Sequence, residues 1–289
     1  MGGKILLSLV VLLASGGAWA EDAQLMTPLE TGLVIEHLDV FSRIPETPEE
    51  TLAFYTNLAQ RGNVHAQMNL AFMLAEGLDA RQDLPQAFLW FEKAARQGNA
   101  VAQLNLAIML EKGMGVSRNG ELAGEWYEKA AKRGNSYAQY EMGQRLEKAQ
   151  VPDCIAAARF YEQAARQKHA RAQLALGKLY ESGCGMRQDM LRARAAYLLA
   201  AEGGLADAAY QMGLFYKARG DDMRNISGRD LVAARMWFLV AQDLWGNALE
   251  SSRARSMAAE LAGSMTDMEI NASAVQAQVW LKASGLQKD

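Results

Sequence analysis

The segments LWFEKAARQGN at 89–99, EWYEKAAKRGN at 125–135 and RFYEQAARQKH at 159–169 decide how this chain is read. Each carries an aromatic cluster, then paired alanines, then a polar turn. More divergent copies are AFYTNLAQRGN at 53–63, AYLLAAEGGLA at 196–206 and MWFLVAQDLWG at 236–246. The second alanine of the motif falls at Ala59, Ala95, Ala131, Ala165, Ala201 and Ala241, at intervals of 36, 36, 34, 36 and 40 residues. A period of this size belongs to a supersecondary unit that buries its apolar face only by stacking on its neighbours.

Each copy reads as a helix pair. Thr47, Asp83, Asn119, Asp153 and Asp189 stand twelve residues before the marker alanine, and all are types whose side chains accept hydrogen bonds from free N–H groups at a helix start. Thr47-Pro48-Glu49-Glu50 combines a capping box with proline at the first helical position. In the sixth copy Asp230 takes this role, eleven residues before Ala241 and after a polar insert, Arg219 to Gly228, that lengthens the spacing. Aromatic residues and alanines at helical spacing predict a buried stripe on the first helix. Gly62, Gly98 and Gly134 suit a left-handed turn. The second helix carries Ala66, Ala102, Ala138, Ala172, Ala208 and Ala248 in register. It often ends in G-x-G, as at Gly113-Met114-Gly115 and Gly183-Cys184-Gly185, where helix termination is the reading. Thr266-Asp267-Met268-Glu269 opens a further helix to about Ala283, with Ile270, Ala274, Ala277 and Trp280 on one face. The expected organisation is a leader at 1–20, an N-terminal segment at 21–46, repeats over 47–264, and a capping helix with its tail at 265–289.

The pattern W-[YF]-x-K-A-A-x-x-G-N-x-x-A-Q, followed by a helix ending in G-x-G, resembles the Sel1-like repeat, a relative of the tetratricopeptide repeat. It covers about 48–250 and is most specific over Trp90–Gly115 and Trp126–Gln139. Repeat 3 departs from it by ending in Lys148-Ala149-Gln150, and repeat 4 by placing Lys168 at the turn. The resemblance implies an all-α, right-handed α-solenoid of about six hairpins. It also implies a scaffold or adaptor that binds another protein in envelope assembly, regulation or host interaction.

The first twenty residues indicate export. Lys4 supplies a positive start, Ile5 to Ala14 an apolar run, and Ala18-Trp19-Ala20 a small-x-small cleavage pattern. That run is shorter than the roughly 20 residues a membrane span needs, and no cysteine follows the cleavage point to carry a lipid. The mature chain is therefore expected to begin at Glu21, in the periplasm or outside the cell, with no membrane span. Losing Lys4 changes the net charge from −3 to −4, which excludes bulk attraction to nucleic acid. Charge is uneven all the same: residues 21–60 hold eight acids against Arg43, whereas 151–200 hold eight Lys or Arg against four acids.

No catalytic constellation emerges. His37, His65 and His169 form no pair at metal-ligand spacing, and His65 and His169 fall in hairpin turns, where a solvated histidine is expected. There is no H-E-x-x-H, G-x-S-x-G or P-loop lysine, and no S-x-x-K. The last would be wanted by the β-lactamase-like chemistry ascribed to some cysteine-rich Sel1-like proteins. No cofactor is expected. Trp90 and Trp126 read as core, although aromatic residues, Trp245 and Trp280 among them, leave binding of peptidoglycan or polysaccharide open as an alternative. The sequon Asn225-Ile226-Ser227 reads as incidental in a bacterial protein.

Two local expectations remain. Cys154 follows the helix-start Asp153, and Cys184 lies just past the end of the partner helix. Those ends are adjacent in an antiparallel hairpin, so a disulfide is expected, against two unpaired thiols. The positions before the paired alanines are polar in repeats 2 to 4 (Glu92-Lys93, Glu128-Lys129, Glu162-Gln163) and apolar in repeats 5 and 6 (Leu198-Leu199, Phe238-Leu239). Either the helix from Thr266 folds over these four residues, or they form an exposed partner-binding groove.

Overall fold

The computed structural model describes residues 47–286 apart from 79, 221–227 and 247–248. The expected leader at 1–20, the segment at 21–46 and the sequon at 225–227 lie outside the described residues. Thirteen α-helices and no strand occur among the described ones: α1 (Pro48–Gln60), α2 (Val64–Glu76), α3 (Leu84–Arg96), α4 (Ala100–Lys112), α5 (Gly120–Lys132), α6 (Ser136–Glu147), α7 (Cys154–Arg166), α8 (Ala170–Ser182), α9 (Met190–Glu202), α10 (Ala206–Gly220), α11 (Gly228–Trp245), α12 (Leu249–Ala262) and α13 (Asp267–Ala283). The chain divides into two compact units, Met1–Lys129 and Ala130–Asp289.

Side chains set most helix starts. Thr47, Asp83, Asn119 and Asp153 accept from the N–H three residues on, at 2.9–3.2 Å, and Asp189 from two such N–H groups. The second helices α2, α4 and α6 start on Asn63, Asn99 and Asn135 in the same way. Each such cap contributes about 1 kcal/mol. At α13 the capping box is reciprocal, Thr266 accepting from Glu269 N–H while the Glu269 carboxylate accepts from Thr266 N–H. Asp230 is a correction. The 18-residue α11 already begins at Gly228, so Asp230 lies in its first turn instead of capping it.

The two glycines of G-x-G do different work. Gly113 and Gly183 end helices in the left-handed conformation, as the sequence suggests. Gly185 is there because of a close approach: a Cβ on it would lie 2.8 Å from the Ile155 nitrogen. Gly115 sits likewise against the Leu84–Pro85 backbone. The second glycine thus seats the loop on the first turn of the first helix in the same pair.

Within each unit, a first helix packs more extensively on the helix before it than on its own hairpin partner. In the first unit α3 lies more on α2 than on α4. In the second, α7 lies more on α6 than on α8, α9 more on α8 than on α10, and α11 more on α10 than on α12. The reason is an aromatic ring set on a small residue. Tyr161 lies over Gly143, Tyr197 over Gly177 and Phe238 over Gly213, each so close that a glycine Cβ would fall 2.5–2.6 Å from a ring carbon. Phe91 and Tyr127 are likewise buried to 1% exposure or less. At the chain end α13 packs on α11. The Arg235 guanidinium donates to Ala258 O, Ile270 O and Ser273 Oγ at 2.6–3.3 Å. The Trp237 and Trp280 rings meet at 4.9 Å.

Because the Tyr197 ring is enclosed and cannot retreat, Gly177→Ala is expected to destabilise the second unit by about 1–3 kcal/mol. Urea denaturation of the variant measures it. An unchanged midpoint would mean that the ring moves freely and that this contact is not a constraint.

Candidate partner-binding surface

The outer face of the first helices is set by the ring that faces inward. With Phe91, Tyr127, Tyr161 and Tyr197 buried, the next two positions turn outward. They hold Glu92-Lys93, Glu128-Lys129, Glu162-Gln163 and Leu198-Leu199. Glu92 pairs with Arg96 at 2.7 Å. Lys93 and Lys129 lie over the rings of Trp90 and Trp126, 3.7 and 3.9 Å from their centroids, a cation–π arrangement. Both tryptophans are half-buried, and the lysine occupies a ring face that a sugar would need.

The four apolar residues read as a possible groove do not lie together on one surface. Leu199 is 51% exposed, whereas Leu198 and Leu239 are half-buried against the core of the second unit. Phe238 is 0% exposed. It corrects the sequence register: Phe238 sits over Gly213 as Tyr197 sits over Gly177, so the sixth copy is displaced by one residue, and its outward pair would be Leu239-Val240. Val240 is itself buried. Helix α13 covers α11 through Trp237, Arg235 and Ser273.

Polar groups inside the repeats are spent on holding helices. The hydroxyls of Tyr127, Tyr161 and Tyr197 donate to the carboxylates of Glu111, Glu147 and Glu181. Burial, then these hydrogen bonds, raise the phenols of Tyr161 and Tyr197 far above their usual range. Gln67, Gln103, Gln139 and Gln173 donate to the carbonyls of the marker alanines Ala59, Ala95, Ala131 and Ala165 at 3.1–3.4 Å. Gln97 and Gln167 reach back to bond Gln67 and Gln139 at 2.8 Å. The sequence reading missed these pairs, yet carried their signal. Where the buried ring is tyrosine, a glutamate stands nine residues past the second-helix alanine; where it is Phe91 or Phe238, that place holds Ala75 or Lys217.

His169 is the second correction. It is 8% exposed, not solvated. Its Nδ1 accepts from Ala172 N–H at 3.2 Å, taking the cap role of the asparagines in the other repeats. Its ring stacks on Tyr140 and meets Tyr137 edge-on. Burial, then the Arg171 charge, lower it to about 4. It follows Lys168, whose φ of 63° puts a side chain where other repeats have glycine.

Cys154 and Cys184 are joined as a disulfide with Cα atoms 5.6 Å apart, across the Gly185 contact. Among the described residues no three His, Cys, Asp or Glu side chains gather as metal ligands. No helix there is long and apolar enough to cross a membrane.

These features define an all-α repeat of helix pairs. The Sel1 repeat model matches 64–99, 100–135, 136–169, 170–205 and 206–241, well over half of the chain, which therefore belongs to the Sel1 repeat family. Each matched stretch begins on a second helix and runs into the following first helix, the pairing that the packing favours. Among solved structures, a Sel1 repeat protein from Oxalobacter formigenes is 25% identical with a TM-score of 0.62, over 82% of this chain and 94% of that one. A protective antigen of uropathogenic Escherichia coli displaying an SLR fold is 23% identical with a TM-score of 0.53, over 81% of this chain. This chain spans 56% of that antigen's length. No curated protein matches the chain. The family and these structures place the fold in the α-solenoid class.

With the folded pKa of His169 at about 4 and the ordinary value at 6.5, its neutral form stabilises the fold. That contribution is complete above pH 6.5 and is lost as pH falls toward 4, up to about 3 kcal/mol. In His169→Asn, which restores the cap of the other repeats, this part of the acid sensitivity is expected to vanish. Urea titrations between pH 7 and 4 compare the two, and identical profiles would contradict the assignment.

Proposed function

We propose that the chain is an exported, non-catalytic scaffold that binds another envelope or extracellular protein through the outer faces of its repeats. The observation that carries this reading is a constant interior under a changing exterior. Ring, alanines and glutamines recur from copy to copy, while the outward pair runs from Glu92-Lys93 to Leu198-Leu199. Constant positions build the stack and variable positions are free to select a partner. Sel1 repeats are generally protein–protein interaction modules. Export is supported by the pattern at 1–20 and by the Cys154–Cys184 pair, since disulfides persist in oxidising compartments. Cleavage follows Ala20, and the bond staples, at the end opposite its turn, the one hairpin whose turn uses Lys168.

Mature protein immobilised and exposed to envelope extract, with crosslinking and mass spectrometry, is expected to retain one protein at stoichiometric level. Leu199→Glu, at a half-exposed position, is expected to weaken capture about tenfold if Leu199 is an anchor, a loss in the range of one buried apolar side chain. Retention only on insoluble peptidoglycan would replace this reading with the glycan-binding one. Intact-mass analysis of exported, unreduced protein is expected to give a chain starting at Glu21 with no thiol open to alkylation. Two reactive thiols would remove the disulfide.

A further inference from the structure

The stretch from Glu147 to Arg194 in the second unit has a specific imbalance. Its acids are engaged: Glu147 and Glu181 hold tyrosine hydroxyls, Asp153 caps α7, and Asp189 caps α9 while pairing with Arg192 at 3.4 Å. Glu162 pairs with Arg166. Arg187 is exposed and has no partner among the described residues. Beside it the loop from α8 to α9 and the first turn of α9 border an open depression, lined by Tyr180, Arg187, Asp189, Met190, Leu191 and Arg192, in which the Asp189 carboxylate is already committed to the α9 cap and to Arg192. Leu191 is 69% exposed at its edge and Met190 39%, and Arg192 lies over the Tyr180 ring at 5.7 Å. The floor is held in place: Gly185 is seated on the Cys154–Ile155 backbone and Cys184 is bonded to Cys154. Gln188 Nε2 donates to Glu181 O at 2.7 Å. A fixed loop carrying an uncompensated arginine and solvated apolar side chains is a surface lacking both a counter-charge and an apolar cover.

We propose that this depression docks a short acidic segment of a partner protein. One apolar side chain of the segment would rest on Met190 and Leu191, with a flanking carboxylate facing Arg187. The proposal rests on the scaffold reading and names the chemistry of its partner. Guanidinium groups favour carboxylates through paired N–H donors, and a thioether adapts to varied apolar anchors. An anionic polysaccharide would satisfy Arg187 but leave Leu191 in water.

The test uses the mature chain and labelled peptides of about 12 residues, an ordinary length for a groove-binding segment. One peptide carries glutamates around a central leucine, a second replaces the glutamates with lysine, and a third replaces the leucine with serine. Fluorescence anisotropy is expected to show the first binding at least about tenfold more tightly than the other two, and more weakly as salt rises. Arg187→Glu and Leu191→Ser, both at exposed positions, are each expected to weaken it about tenfold with circular dichroism unchanged. Amide shifts of the wild-type protein on adding the first peptide are expected to concentrate at 180–192, a readout independent of any variant. Equal binding of the acidic and lysine peptides, or shifts elsewhere, would overturn the proposal. So would binding insensitive to the serine replacement, or displacement by alginate that ignores Leu191. Stoichiometric capture from envelope extract that survives Arg187→Glu and Leu191→Ser would leave the scaffold standing and dismiss this site. Failure of the wild-type chain to capture any protein would dismiss the scaffold itself.

Discussion

The packing depends on a buried aromatic ring that each first helix presses against the preceding second helix, in the second unit directly onto a glycine. In the second unit the rings are Tyr161, Tyr197 and Phe238, and their seats are Gly143, Gly177 and Gly213. A side chain at the seat would push the helices apart, and a smaller ring would leave a void, so the contact fixes separation at both limits. Glycine inside a helix costs about 1 kcal/mol relative to alanine. Three helices accept that cost at the position facing the ring, so close approach outweighs helix propensity there.

Once that seam is fixed, the interior has little freedom left for chemistry. A buried tyrosine hydroxyl needs a partner, and a glutamate at the end of the preceding helix provides it. Buried glutamines cap the last carbonyls of the neighbouring helix, groups that a helix leaves without internal partners. Such groups are held by geometry and burial, and the raised phenol pKa values follow from that. Variation is confined to the outward positions and the loops that follow the second helices. The packing that makes the repeat thus leaves those positions free to differ, as suits a family whose repeats generally mediate protein–protein interaction.

The period, the caps from Thr47 to Asp189, the turn glycines and the terminal helix were legible in the sequence, because each depends on local backbone geometry that particular residue types satisfy. What was not legible depends on neighbours distant in sequence. Phe238 looked like an outward residue because the 40-residue spacing was counted to Ala241. Only the ring's seat on Gly213 reveals the one-residue displacement. His169 looked solvated because it lies in a turn, yet it is capped over by Tyr137 and Tyr140 from the preceding repeat. The pairing of second helix with following first helix is also hidden, since a sequence shows hairpins through their short turns and not through the larger buried seam. The Tyr–Glu correlation between copies was present and is the clue that would have exposed the seam.

The central claim is that this seam, more than the hairpin, is the cooperative unit of the fold. Native-state hydrogen exchange in the first unit tests it most directly, because no disulfide ties helices there. Under increasing denaturant, the amides of α2 and α3 are expected to exchange through one common opening, with α4 opening separately. If α3 and α4 instead open together while α2 exchanges on its own, the hairpin is the unit and the account is contradicted.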